Sequence, residues 1–282
     1  MDLDLRGKRA FVTGSTAGIG AEIARVLAAE GASVVIHGRN AERAERFAAE
    51  IHAAGGAVAV TLGELTDDGE AKRVAREAEG AFGGVDILVN NAGSYPITSW
   101  WDTPPDVWLE IYNSDAVAGV RLVKLLVPGM IERGWGRVIQ IASRAATQGT
   151  ANFFPQYASA KAGQLRIASS LAVELAGTGV TSNAISPGAV ATETFKRLYT
   201  EQARNQGRST DWADVERWWI ENFMPGIPLG RLMTPREVAD ITAFLASPCA
   251  DAITGSDFII DGGLGITGFK RQPSQPPKSS RS

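Results

Sequence analysis

Residues 9–20 read Arg9-Ala10-Phe11-Val12-Thr13-Gly14-Ser15-Thr16-Ala17-Gly18-Ile19-Gly20, and this stretch decides the fold. A short apolar strand, Arg9 to Val12, runs into a glycine turn. The turn feeds a helix that the pattern carries to about Glu30, where Gly31 stops it. Glycines at such a turn let the chain bend sharply and let its backbone approach a pyrophosphate, while the helix offers its N-terminal amides to the anion. Glycines also mark ordinary strand–helix turns. The placement after the first strand and at the mouth of a helix favours a dinucleotide site. The spacing is Gly14-x-x-x-Gly18-Ile19-Gly20 rather than G-x-G-x-x-G.

Outward from this stretch, strands and helices alternate. Strands are predicted at Ser33–Ile36, Val58–Leu62, Asp86–Val89, Arg137–Ile141, Val180–Ile185 and Asp257–Ile260. Helices are predicted at Arg43–Ala54, Asp68–Phe82, Gln156–Leu175 and Pro235–Ala246. A long helix begins at Pro104-Pro105 and runs towards Arg133, with a kink expected near Pro128. Apolar strands alternating with helices predict a parallel sheet covered on both faces. Ligands of such sheets bind beyond the carboxyl ends of the strands.

The 282 residues are 44% hydrophobic and 21% charged, which suits one large soluble domain. A net charge of -3 leaves no basic footprint for nucleic acid or an anionic membrane. Cys249 is the single cysteine, and His37 and His52 are the only histidines, so no metal site is expected. The charged N-terminus is no signal peptide and no apolar run spans a bilayer; a cytoplasmic location follows as an expectation. The proline- and serine-rich residues 269–282 read as a flexible tail after a domain of residues 1–268.

Tyr157-Ala158-Ser159-Ala160-Lys161 carries the chemistry. On a helix, Tyr157 and Lys161 emerge from one face, one turn apart. A free tyrosine titrates near pH ~10, and a neighbouring ammonium favours its phenolate. Lowering the pKa by about three units takes roughly 4 kcal/mol. A lone Tyr-x-x-x-Lys pair is more often a solvated helix face, so its companions decide. Ser143 follows the fifth strand, fourteen residues before Tyr157, where its hydroxyl can point at the same substrate atom as the phenol.

Together these motifs identify a resemblance to the short-chain dehydrogenase/reductase family, in its shorter single-domain branch. The match rests on Thr13-Gly-x-x-x-Gly-Ile-Gly20, Asn90-Asn91-Ala92-Gly93, Asn113, Ser143 with Tyr157-x-x-x-Lys161, and Ser186-Pro187-Gly188, in that order. It implies a Rossmann-like, doubly wound, seven-stranded parallel sheet of α/β class with helices on both faces. It implies a catalytic set of Asn113, Ser143, Tyr157 and Lys161, with the Asn113 carbonyl holding a relay water at a local helix disturbance. It implies cofactor contacts from Gly14, Ser15, Thr16, Gly18, Ile19, Gly20, Asn91, Ala92, Gly93, Tyr157, Lys161, Pro187, Gly188, Val190 and Thr192. Glu64 and Leu65 stand where the family usually has aspartate near adenine. A substrate lid at about residues 192–229 and a homo-oligomer, tetramer or dimer, are likewise implied.

The end of the second strand decides between cofactors. NAD enzymes place a carboxylate there for the ribose 2′-hydroxyl. Here the residues are Gly38 and Arg39, and an arginine offers a 2′-phosphate a charge-assisted fork. NADP(H) is favoured and NAD(H) is the alternative, since Ala17 stands where many NADP members have a second basic residue. Trp100, Trp101, Trp212, Trp218, Trp219, Phe223 and Met224 are either core and interface or an apolar pocket. The expected activity is hydride transfer between NADP(H) and a small carbonyl or secondary alcohol substrate, apolar or aromatic. A non-catalytic dinucleotide sensor is the reading from another class; it would be expected to lose part of the catalytic set.

Overall fold

The computed structural model describes residues 2–95, 99–147 and 154–266. The tail expected at 269–282 lies outside the described residues. Seven parallel strands form one sheet in the order β3-β2-β1-β4-β5-β6-β7. They are β1 (Arg9–Val12), β2 (Ser33–Gly38), β3 (Val58–Leu62), β4 (Ile87–Asn90), β5 (Gly136–Ile141), β6 (Val180–Pro187) and β7 (Asp257–Ile260). The helices are α1 (Gly18–Ala29), α2 (Ala41–Ala53), α3 (Asp68–Phe82), α4 (Pro105–Tyr112), α5 (Ala118–Glu132), α6 (Pro155–Glu174), α7 (Glu193–Asn205), α8 (Trp212–Phe223) and α9 (Pro235–Leu245).

Alternate strand residues serve opposite layers, as the two-residue period of a strand requires. Ala10, Val12, Val34, Ile36, Ile87 and Val89 pack beneath Ile23 and Leu27 of α1 and Val238 and Ala243 of α9. Their neighbours Phe11, Val35, Leu88 and Val138 face the other way, onto Val74 and Ala78 of α3 and Leu122, Leu126 and Met130 of α5. The strand order reverses between β1 and β4, so a crevice opens beyond the carboxyl ends of these two strands.

The helix expected to run from Pro105 to Arg133 is divided between α4 and α5. A π turn, Asn113–Val117, separates them, and Pro128 lies inside α5. π turns appear mostly as single turns inside helices and insert one residue into the repeat. The region 192–229 contains two helices, each started by a side-chain cap. Thr192 Oγ1 accepts from Phe195 N–H, and Asp211 Oδ1 accepts from Ala213 N–H. Phe195, Tyr199, Trp212, Trp218 and Met224 surround buried Trp219, so most of the tryptophan-rich segment packs on itself. Trp101, by contrast, is 90% exposed. No helix among the described residues is long and apolar enough to cross a membrane.

Candidate active site

The glycine turn lies against the end of β4. Thr13 Oγ1 accepts from the N–H groups of Asn91 and Ala92, both at 2.9 Å. Asn91 Nδ2 donates to the carbonyls of Thr13 and Gly14 at 2.9 and 3.1 Å. Gly14 has φ +61°, and a Cβ there would stand 2.9 Å from Ala92 Cα. A Cβ on Gly20 would stand 2.4 Å from Asn91 Nδ2 and 2.6 Å from the Gly14 carbonyl oxygen. Both positions demand glycine for close approach, as a turn built to receive a phosphate does.

Ser15 differs from expectation. It is fully buried, its Oγ donates to Val12 O at 2.7 Å and accepts from His37 N–H at 2.9 Å. Its hydroxyl closes the turn from inside instead of facing the groove. Val190 is buried in the core, and half-buried Ile19 of α1 packs against that core. Gly188 donates to Ile260 O at 2.8 Å, and a Cβ there would meet Met233 Cε at 2.7 Å, so this glycine serves the packing of β6 on β7. Thr192 comes back over the turn, its methyl 3.6 Å from the Cβ position of Gly18.

A groove of about 510 Å³ runs beside the turn, lined by Gly14, Thr16, Arg39, Glu64, Leu65, Asn91, Ala92 and Gly93. Sequence reasoning missed His37, Asn40, Arg43, Ser94 and Ser114, which also line it. A signal was available for two of them: Asn40 caps α2 by accepting from Arg43 N–H at 2.8 Å. His37 Nδ1 accepts from Gly14 N–H and Nε2 lies against Gly63 O, each at 3.2 Å, so the neutral ring carries its proton on Nε2. Burial lowers the His37 pKa to about 4. Arg39 Nη1 donates to Glu64 Oε2 at 3.1 Å across the groove.

Ser143, Tyr157 and Lys161 are brought together at the ends of β5 and α6. The Ser143 hydroxyl lies beside the Tyr157 phenol. Lys161 is buried, its Nζ 5.4 Å from the Tyr157 ring centroid, and donates to Ile141 O at 2.9 Å. Burial pushes the Tyr157 phenol above the usual tyrosine range; the Ser143 hydroxyl opposes this, and the Asp115 charge adds to it. Burial pushes Lys161 down, and the Asp115 charge opposes that. The lowering of Tyr157 expected from Lys161 is not seen: burial, the larger effect, and the Asp115 charge both favour the neutral phenol.

The Asn113 side chain makes its bonds away from this group. Its Nδ2 donates to Thr66 O at 3.1 Å, its Oδ1 accepts from Arg121 at 2.7 Å, and its carbonyl accepts from Ala118 N–H in the π turn. The helix disturbance expected at this position is present, but the residue it turns towards Lys161 is Asp115, with Oδ2 3.7 Å from Nζ. Two rings flank the phenol: the centroids of Tyr95 and Phe154 lie 5.0 and 5.7 Å from that of Tyr157. Next to Ser143, Arg144 is held in an ion pair with Asp261 at 2.9 Å, the two side chains 15% and 7% exposed. Asp261 also accepts from the N–H groups of Gly263 and Gly265, both at 2.9 Å.

A parallel sheet with a glycine turn at its switch point, a groove beside that turn and a Ser–Tyr–Lys group at the same strand ends define a dinucleotide-dependent oxidoreductase. A family model described as enoyl-(acyl carrier protein) reductase matches residues 14–265. The chain belongs to the short-chain dehydrogenase/reductase family, whose members act on hydroxyl and keto groups. It is 37% identical over 267 residues to the uncharacterized oxidoreductase YvaG of Bacillus subtilis, covering 94% of this chain and 98% of that one. It is 36% identical over 261 residues to a D-beta-hydroxybutyrate dehydrogenase of Cupriavidus necator, covering 92% and 98%. The crystal structure of L-sorbose reductase from Gluconobacter frateurii with NADPH and L-sorbose superposes with a TM-score of 0.87 at 31% identity, over 94% of this chain and 98% of that one.

Proposed function

We propose that the enzyme transfers a hydride between NADP(H) and an apolar or aromatic carbonyl or secondary alcohol. The observation that carries this is the grouping of Ser143, Tyr157 and buried Lys161 at the ends of β5 and α6, with Lys161 Nζ 5.4 Å from the Tyr157 ring centroid and bonded to Ile141 O. The residues fit a nicotinamide dinucleotide: Gly14 and Gly20 leave no room for a Cβ, and the groove leads from them to Arg39 and Arg43. When bound, the cofactor supplies or takes the hydride; the protein positions it. Asn91, Ala92, Gly93 and Leu65 would hold the adenosine half, and Pro187, Gly188, Val190 and Thr192 the carboxamide. Tyr157 gives its proton to the substrate oxygen in reduction and takes it back in oxidation, while the Ser143 hydroxyl orients that oxygen. Lys161 anchors the ribose.

Four features support the finer points. Gly38 puts no carboxylate where a 2′-phosphate would sit, and Arg39 and Arg43 bring two cations there. The L-sorbose reductase structure holds NADPH. Tyr95 and Phe154 beside Tyr157 favour an apolar pocket, and the aromatic cluster of α7 and α8 supports the lid reading. Exposed Leu109 and Tyr112 on α4 and Val173 on α6 favour a homo-oligomer joined through these helices. NAD(H) dependence is the second reading, favoured by the Arg39–Glu64 pair, which offsets part of the cationic charge.

Fluorescence titration with NADPH and NADH side by side tests the cofactor, followed by a ketone screen with the tighter binder. Tighter NADPH binding is expected. A preference for NADH overturns the cofactor reading, and binding of neither overturns the enzyme reading.

A further inference from the structure

Asp115 is 1% exposed and stands in the π turn between α4 and α5. Its Oδ1 accepts from Ser94 N–H at 2.8 Å and from Ser114 Oγ at 2.7 Å. Its Oδ2 accepts no hydrogen bond and points at Lys161, 3.7 Å away. Gly93 closes over the carboxylate so tightly that a Cβ there would lie 2.9 Å from Oδ2. A buried ion pair of this kind is weak support for stability, because desolvation offsets its attraction. An amide at position 115 would keep the bond from Ser94 without a buried charge. What the carboxylate adds is a fixed negative charge beside Lys161 and, beyond it, Tyr157.

We propose that Asp115 is a positioning residue for the reaction: it holds the Lys161 ammonium in place and sets the pH range in which Tyr157 gives up and regains its proton. This rests on the functional reading above. The titratable groups that bear on the site are Lys161 and Tyr157 from α6 and Tyr95 from the segment after β4. With Tyr157 protonated, Tyr157, Lys161 and Asp115 sum to zero charge. When the Tyr157 O–H bond breaks and its proton goes to the substrate oxygen, the group is left with one negative charge. Removing the Asp115 charge leaves the deprotonated group neutral, so the proton departs more easily.

The test is the pH profile of kcat/KM for Asp115→Asn against the wild type, in both reaction directions. The rising limb of alcohol oxidation and the falling limb of ketone reduction should both move to lower pH by about one unit. Limbs that stay in place while the rate falls uniformly overturn the proposal, as does a move to higher pH. A double-mutant cycle on urea midpoints, with Asp115→Asn and Lys161→Met, reads the pair without turnover. Lys161→Met should cost less stability in the Asp115→Asn background than in the wild type; equal costs overturn the pairing. Normal turnover by Tyr157→Phe would instead sink the functional reading and leave this cycle to judge Asp115.

Discussion

Thr16 fills the space in front of Gly38. A Cβ on residue 38 would come 2.6 Å from Thr16 Cγ2 and 2.9 Å from its Oγ1. Cofactor choice at this position is therefore steric as well as electrostatic. Gly38→Asp alone is expected to weaken NADPH and NADH together, by about tenfold or more, since overpacking of this kind costs about 1–3 kcal/mol. Adding Thr16→Ala should restore NADH binding but not NADPH binding. Calorimetric titration of the single and double variants checks this; a single variant that already prefers NADH would refute it.

Tyr157→Phe should lower kcat by about a hundredfold to ten-thousandfold, the range for a positioned acid or base. The dinucleotide Kd should change little, because Tyr157 does not line the groove beside the glycine turn. Steady-state kinetics and fluorescence titration on one preparation separate the two effects.

His37 makes folding stability depend on acid. Its pKa falls from 6.5 to about 4 on burial, so it contributes fully above pH ~6.5 and the contribution is lost as pH drops towards 4. The loss amounts to about 3 kcal/mol. Urea midpoints at pH 7.5, 5.5 and 4.5 should fall accordingly, and His37→Asn should flatten that slope. An unchanged slope in the variant would place the acid sensitivity elsewhere.

Gly20→Ala should disturb the turn and the end of β4 together. The new methyl would stand against Asn91 Nδ2 and the Gly14 carbonyl, which are bonded to each other at 3.1 Å. We expect a stability loss of about 1–3 kcal/mol and dinucleotide affinity at least tenfold weaker. Thermal denaturation with and without cofactor measures both. A variant as stable and as tight-binding as the wild type would show that the turn yields.

Much of this was legible from local signals. The bounds of β1, β3, α3 and β7 follow from the sequence because their ends carry their own punctuation; Asp67 caps α3 and Gly83 ends it in the left-handed region. The glycine turn, Ser143, Tyr157 and Lys161 are fixed by spacing within single elements. Asp115 was not legible. The π turn rotates every side chain beyond it, so which of Asn113, Ser114 and Asp115 meets Lys161 depends on a register that local spacing does not carry. Helices α7 and α8 had readable caps in Thr192 and Asp211, but their aromatic packing joins residues from two helices. The partner of Arg144 lies far along the chain, and no periodicity connects them.

The Arg144–Asp261 pair gives synthesis a final step. A ribosome adds about 5–20 residues per second. Until Asp261 emerges, Arg144 is a cation without its carboxylate, next to Ser143 in the chain. Enclosing an unpaired charge is costly, about 3–5 kcal/mol when a partner is missing from a buried pair. A chain cut before Asp261 would leave the Arg144 guanidinium enclosed beside Ser143 with no carboxylate to meet it.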